Sequence, residues 1–173
     1  TQQLEFENKA PQINATIENI SNIINESIAE LRELSKSLID NAVDTNTLSQ
    51  LIEKECEKIK LLNKCVISYT SNTSTANLKY QEKSILIRII QEFINNSIKH
   101  SKCQNIYVSL MTDKNSILLS LKDDGIGFNP KTISAGQGIA NMKKRAAIIK
   151  AKIEFQSIEN SGTQLLIRLP YGQ

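Results

Sequence analysis

The sequence predicts an α+β protein, a two-layer α/β sandwich with a mixed sheet packed against helices, preceded by a long helix. Three observations carry that expectation. Apolar residues recur at spacings of three and four over residues 12–39 and 80–101, the helical period. In the C-terminal half they alternate in short runs that come in pairs separated by turn formers. From residue 48 the order is helix, strand, helix, two strands, loop, helix, two strands. Hairpins with helices between them do not make a purely parallel βαβ sheet. No GxxxxGK[ST] occurs, and no GxGxxG follows a strand and opens a helix.

The elements follow in order. Ile13, Ile17, Ile20, Ile24, Ile28, Leu31, Leu34 and Leu38 form one apolar stripe on a helix over 12–39, with Pro11 at its start. A stripe this long wants a partner, which dimerisation or packing on its own domain would supply. Residues 40–47 (DNAVDTNT) are polar and rich in turn formers, so a linker is expected there. The domains are accordingly 1–45, a helical region, and 46–173, a globular one. Thr47 or Asp44 caps a helix over 48–60. Residues 65–70 read as a strand and the SNTSTAN segment as a loop.

Residues 80–101 read as a helix buried on much of its surface by Ile85, Leu86, Ile87, Ile89, Ile90, Phe93, Ile94 and Ile98. Ile106, Val108 and Leu110, then Ile117, Leu119 and Leu121, mark two strands turning at 113–116. Residues 125–137 form a glycine-punctuated loop and 138–150 a helix. Residues 151–158 and 163–169 are the last strands, with Asn160-Ser161-Gly162 turning between them.

Composition narrows the function. Of 173 residues, 40% are hydrophobic and 23% charged, which suits a folded domain and excludes wholesale disorder. The net charge of +3 is too small to argue for nucleic acid, and Lys143-Lys144-Arg145 reads as a solvated helix face. No apolar run is long enough to span a bilayer, and no signal peptide opens the chain. Cys56, Cys65 and Cys103 have no zinc-site spacing and are expected as reduced thiols in a cytoplasmic protein. His100 is the only histidine.

Four short motifs carry chemistry. In QEFINNSIKHS, Glu92, Asn96, Lys99 and His100 share one stripe of a helix otherwise packed with isoleucine, so the stripe should border a cavity. Carboxylate and amide oxygens suit Mg²⁺, and a lysine one turn on suits phosphate. In DDGIGF, a carboxylate at a strand end can accept a hydrogen bond from an exocyclic amine, and Gly125 and Gly127 let the backbone approach a ligand. Gly136-Gln137-Gly138-Ile139 opens a helix whose free N–H groups attract phosphate. Gly162-Thr163 opens the last strand. Each alone has an ordinary alternative: a solvated polar face, an acidic turn, a flexible loop, a plain turn. A calcium loop of EF-hand type is excluded, since no Glu stands at its twelfth position.

In this order, QEFINNSIKHS, DDGIGF, GQGIANM and SGTQLLIRLP resemble the four ATP-binding boxes of the GHKL superfamily. More closely, residues 48–173 resemble the catalytic and ATP-binding domain of bacterial sensor histidine kinases. LRELSKSL resembles the end of the second dimerisation helix in the nitrate- and desaturase-sensor subclass, which the short segment between Phe128 and Gly136 also fits. The resemblance implies that Asn96 ligates Mg²⁺ on ATP and that Glu92 is the general base or a polarising residue. It implies that Lys99 meets phosphate with His100 close by. Asp123 would bind the adenine amino group, supported by Thr163, and Gly125 and Gly127 would admit the base. Gly136 and Gly138 would hinge a lid and offer N–H groups to the phosphates.

Two departures stand out. Lys144 occupies a position where the resemblance leads one to expect an acidic residue. The family's phosphoacceptor histidine, borne on a first dimerisation helix, has no counterpart, and His100 falls in the ATP site. The chain is then expected to be part of a longer one, or a non-phosphorylating relative. The expected activity is transfer of the γ-phosphoryl group of Mg·ATP to a histidine outside this chain and on to an aspartate of a response regulator, with homodimerisation through the N-terminal helix. Alternatives are another GHKL ATPase, such as an anti-sigma serine kinase, or a dimeric interaction module with a degenerate nucleotide site.

Overall fold

The computed structural model describes residues 17, 20, 21, 23–25, 27, 28, 42–73, 78–113, 115–128 and 137–170. The chain divides into two compact units, Thr1–Asn41 and Ala42–Gln173. In the first unit the described residues are helical, and Ile17, Ile20, Ile23, Ile24 and Ile28 are exposed. The rest of the expected helix over 12–39 lies outside the described residues.

The second unit begins where a linker was expected. Residues 42–45 are instead a helical turn, and Val43 is fully buried. One apolar residue in a polar stretch is enough to dock it, because burying a valine is worth about 1.5–3 kcal/mol. Helix α1 (Leu48–Leu61) follows, capped by Thr47. The Thr47 hydroxyl accepts from the Gln50 N–H, while the Gln50 side chain accepts from the Thr47 N–H, a reciprocal capping box. Leu48, Leu51, Ile52, Cys56 and Ile59 form its buried stripe. Burial pushes the Cys56 thiol up to about 11, so it stays protonated and acts as a small apolar side chain.

Strand β1 (Val66–Ser71), helix α2 (Tyr80–Asn96), a π-helical turn (Ser97–Ser101), and strands β2 (Asn105–Thr112) and β3 (Ser116–Asp123) come next. Helix α3 (Gln137–Ile148) and the strands β4 (Lys152–Ser157) and β5 (Thr163–Pro170) complete the unit. This is the element order expected from the sequence. The sheet runs β1-β2-β3-β5-β4, with β1 parallel to β2 and every other pair antiparallel.

Register builds the core. Val108 faces Leu121, which faces Leu165, and Leu110 faces Leu119, which faces Ile167. All six are buried, and the residues between them are partly or wholly exposed, so one sheet face is apolar and the other looks outward. Leu86, Ile89, Ile90, Phe93 and Ile94 of α2 are buried with it, giving the two-layer sandwich. Along β3 the inward positions are 117, 119, 121 and 123, so the apolar row ends in the carboxylate Asp123. Its row is Ile106, Asp123, Thr163. The pleat thus points a charged group toward the helical layer at the edge of the core.

Candidate functional site

At that edge the layers part around a cavity of about 340 Å³. Glu92, Phe93, Asn96, Ser97, His100 and Ser101 line it from α2 and the π turn. Asp123 and Thr163 come from the sheet, Phe128 and Phe155 from its rim, and Gly138, Ile139 and Met142 from the first turns of α3. The Phe128 and Phe155 rings lie 5.7 Å apart and tilted. Much of this lining is apolar, with a single carboxylate from the sheet and a cluster of polar groups on the helix. Such a cavity suits a flat heterocycle with a polar edge.

Asp123 is 2% exposed and held on both oxygens. Its Oδ1 accepts from the Gly125 N–H at 2.9 Å, and its Oδ2 from the Ser97 hydroxyl at 2.9 Å. Each carboxylate oxygen accepts two hydrogen bonds, so capacity remains for a ligand's N–H. Thr163 sits opposite Asp123 in the β3–β5 register, yet its hydroxyl pairs with Ser157 at 3.0 Å. The Ser157 hydroxyl also accepts from the Phe128 N–H at 2.9 Å, which ties Phe128 to the sheet.

The neighbouring Asp124 is exposed and does something different. Its Oδ1 accepts from the backbone N–H groups of Gln104 and Asn105, and its Oδ2 from the Asn105 side chain. These bonds, the Asn105 side chain's first, hold its carboxyl below the usual range. It pins the entry of β2 to the exit of β3.

The expected polar stripe on α2 is redrawn by the π turn. An α-helix advances about 100° per residue, whereas i→i+5 bonding advances each residue less, about 80°. Through Ser97–Ser101 the difference accumulates. His100 lines the cavity with Glu92 and Asn96, while Lys99 is exposed and outside the lining. The Ser101 hydroxyl donates to the Ser97 carbonyl at 2.7 Å and accepts from the Cys103 N–H at 3.1 Å. Lys102 then ends the helix in the left-handed region.

The glycines make room. A Cβ on Gly125 would clash with the Ser101 carbonyl oxygen, to which the Ile126 N–H donates. Gly125 therefore packs against the helix end instead of lining the cavity. Gly127 has φ +56, and a Cβ there would meet the Ile158 carbonyl. Gly138 brings α3 against Glu92 and Asn96. Gly136 lies outside the described residues.

Glu92 and Asn96 meet directly, the Asn96 amide N–H₂ donating to Glu92 Oε1 at 3.4 Å. The amide nitrogen is thereby occupied and the oxygen is left as a hard ligand. Among the described residues no three His, Cys, Asp or Glu side chains gather as a metal cluster. A divalent ion held here would share its coordination with a ligand's own oxygens and water, as Mg²⁺ commonly does.

Sequence reasoning missed Ser97, Ser101 and Ser157, and the aromatic rim. A signal existed for two of them. Phe93, Ser97 and Ser101 follow at spacings of four, which continues the buried face of α2 into the site.

Residues 81–173 match the family described as histidine kinase-, DNA gyrase B-, and HSP90-like ATPase. The chain is 27% identical over 161 residues to the sensor histidine kinase ComP of Bacillus subtilis, covering 91% of this chain and 20% of that protein. It is 23% identical over 171 residues to the oxygen sensor histidine kinase NreB of Staphylococcus carnosus, covering 96% of this chain and 49% of that one. It therefore spans between 20% and 49% of these two relatives. The histidine kinase AdeS of Acinetobacter baumannii shares the fold with a TM-score of 0.63 at 16% identity, over 90% of this chain and 82% of that one. The ATP-binding domain of PrrB from Mycobacterium tuberculosis does so with a TM-score of 0.60 at 15% identity, over 74% and 96%. Carrying an ATPase domain of the kind found in bacterial sensor histidine kinases, the chain belongs to the histidine kinase-, DNA gyrase B- and HSP90-like ATPase family.

Proposed function

We propose that this chain binds Mg·ATP in the cavity between α2, α3 and the sheet, and supplies the kinase step of a sensor histidine kinase. The observation that carries the reading is Asp123, a buried carboxylate fixed at an otherwise largely apolar site, with Glu92 and Asn96 beside the start of α3. In this reading the Asp123 carboxylate accepts from the adenine amino group, and Phe128 and Phe155 flank the base. The free N–H groups at the start of α3 meet the phosphates, where a helix N-terminus favours negative charge. Gly136 hinges the lid. Asn96 contributes its amide oxygen to the ion, and Glu92 takes or orients the proton of the attacking group. Lys99, beside the cavity-lining His100, is left as a cation for the outer phosphates. Mg²⁺ would neutralise the charge of the transferring phosphoryl group.

The acceptor is a histidine outside this chain, and the phosphoryl group passes on to an aspartate of a response-regulator receiver domain. The exposed isoleucines of Thr1–Asn41 support homodimerisation through that helix. On this reading the domains are a dimerisation region over 1–45 and a catalytic domain over 46–173, acting in the cytoplasm.

Calorimetric titration of ATP with and without Mg²⁺, with GTP as control, tests the reading. ATP should bind, Mg²⁺ should tighten it, and GTP should bind at least tenfold more weakly, because its 6-oxo group meets a carboxylate. Asn96→Ala should abolish the Mg²⁺ effect. Equal affinity for GTP would sink the adenine assignment.

A further inference from the structure

Ser97 is 3% exposed and, among the described residues, carries the one side-chain hydroxyl bonded to Asp123. A helical serine commonly turns its hydroxyl back to the carbonyl four residues earlier, as Ser101 does to Ser97. Ser97 departs from this habit and donates across to Oδ2 of Asp123 at 2.9 Å. It is also the first residue of the π turn, so the change in winding begins at the residue that makes this bond.

The bond has a consequence for the carboxylate plane. The torsion that rotates an Asp carboxylate is broad and weakly confined. One donor on one oxygen leaves that rotation largely open. Two donors on different oxygens, the Gly125 N–H on Oδ1 and the Ser97 hydroxyl on Oδ2, fix the plane and the direction of the remaining lone pairs. We infer that Ser97 is a positioning residue that sets the Asp123 carboxylate for a 6-aminopurine nucleotide, and so governs base selectivity. The inference rests on the ATP-site reading above and extends it to a residue that need not touch the ligand.

Titrations with ATP and with purine riboside triphosphate, which lacks the 6-amino group, test it. They are run on the wild-type chain, Ser97→Ala, Asp123→Asn and the double variant. Alanine is the best helix former, so Ser97→Ala keeps the helix. It should lose about three- to tenfold in ATP affinity, the effect of one hydrogen bond to a charged group acting through orientation. For purine riboside triphosphate it should change less than about twofold, and in the Asp123→Asn background it should cost no further ATP affinity. Equal losses for both nucleotides would overturn the positioning role and leave a merely structural one. No loss for either would overturn it too. If the wild-type chain bound neither nucleotide, the ATP-site reading would fall and this inference with it.

Discussion

Two adjacent carboxylates divide the labour at the end of β3. Asp123 continues the inward alternation of the strand, while Asp124 comes one residue later and faces outward. Asp124 accepts three hydrogen bonds from the start of β2, and its carboxyl is held below its ordinary value of 3.8. A depressed carboxyl stabilises the fold above its ordinary value, and that contribution is lost as pH falls through the folded value. Asp124→Asn should therefore lower the urea midpoint at pH 7, and the gap to wild type should close in acid below 3.8. A gap independent of pH would mean that the charge is not what holds the strands. The sequence carried Asp123 clearly, as a carboxylate after an alternating strand. It did not carry Asp124's role, because its partners Gln104 and Asn105 are 20 and 19 residues away.

At the level of elements, the junction of α2 with the π turn decides which side chains reach the cavity. Periodicity located the helix and its buried face, including Leu86, Ile90 and Phe93. A constant helical period cannot foresee the change of winding at Ser97, so it puts Lys99 with residues that it does not join on the wall. Helix α3 meets α2 through Gly138. A Cβ there would stand 2.6 Å from Glu92 Oε1 and 3.3 Å from Asn96 Nδ2, both at the ends of side chains that can swing away. Gly138→Ala should therefore leave the thermal midpoint within a few degrees, since alanine favours the helix by about 1 kcal/mol. It should weaken Mg·ATP binding severalfold by displacing Glu92 and Asn96. Unchanged nucleotide affinity would show that these two side chains do not bear on binding.

For the whole molecule, the single histidine is informative. His100 lines the cavity and so belongs to the wall that would hold the nucleotide, not to the acceptor side. Incubation of this chain with γ-labelled ATP should leave no acid-labile phosphate on the protein, even where calorimetry finds ATP bound. Label at His100 would overturn the assignment of the acceptor to a histidine outside the 173 residues. The burial of Val43 within the second unit also belongs to this scale. Local composition reads residues 40–47 as polar connection, and only the packed domain offers the apolar surface that buries Val43.

The sequence by itself determined the α+β class, the order of elements from residue 48, the inward row ending in Asp123, and the glycine-bearing loops around the site. These follow from period, turn chemistry and short-range steric demands, all of which act between near neighbours. Only the tertiary structure decided which hydroxyl holds Asp123, where α2 changes its winding, and how closely α3 approaches Glu92 and Asn96. Those outcomes depend on contacts such as Ser97 to Asp123, 26 residues apart, whose geometry is set by how the helical layer settles on the sheet.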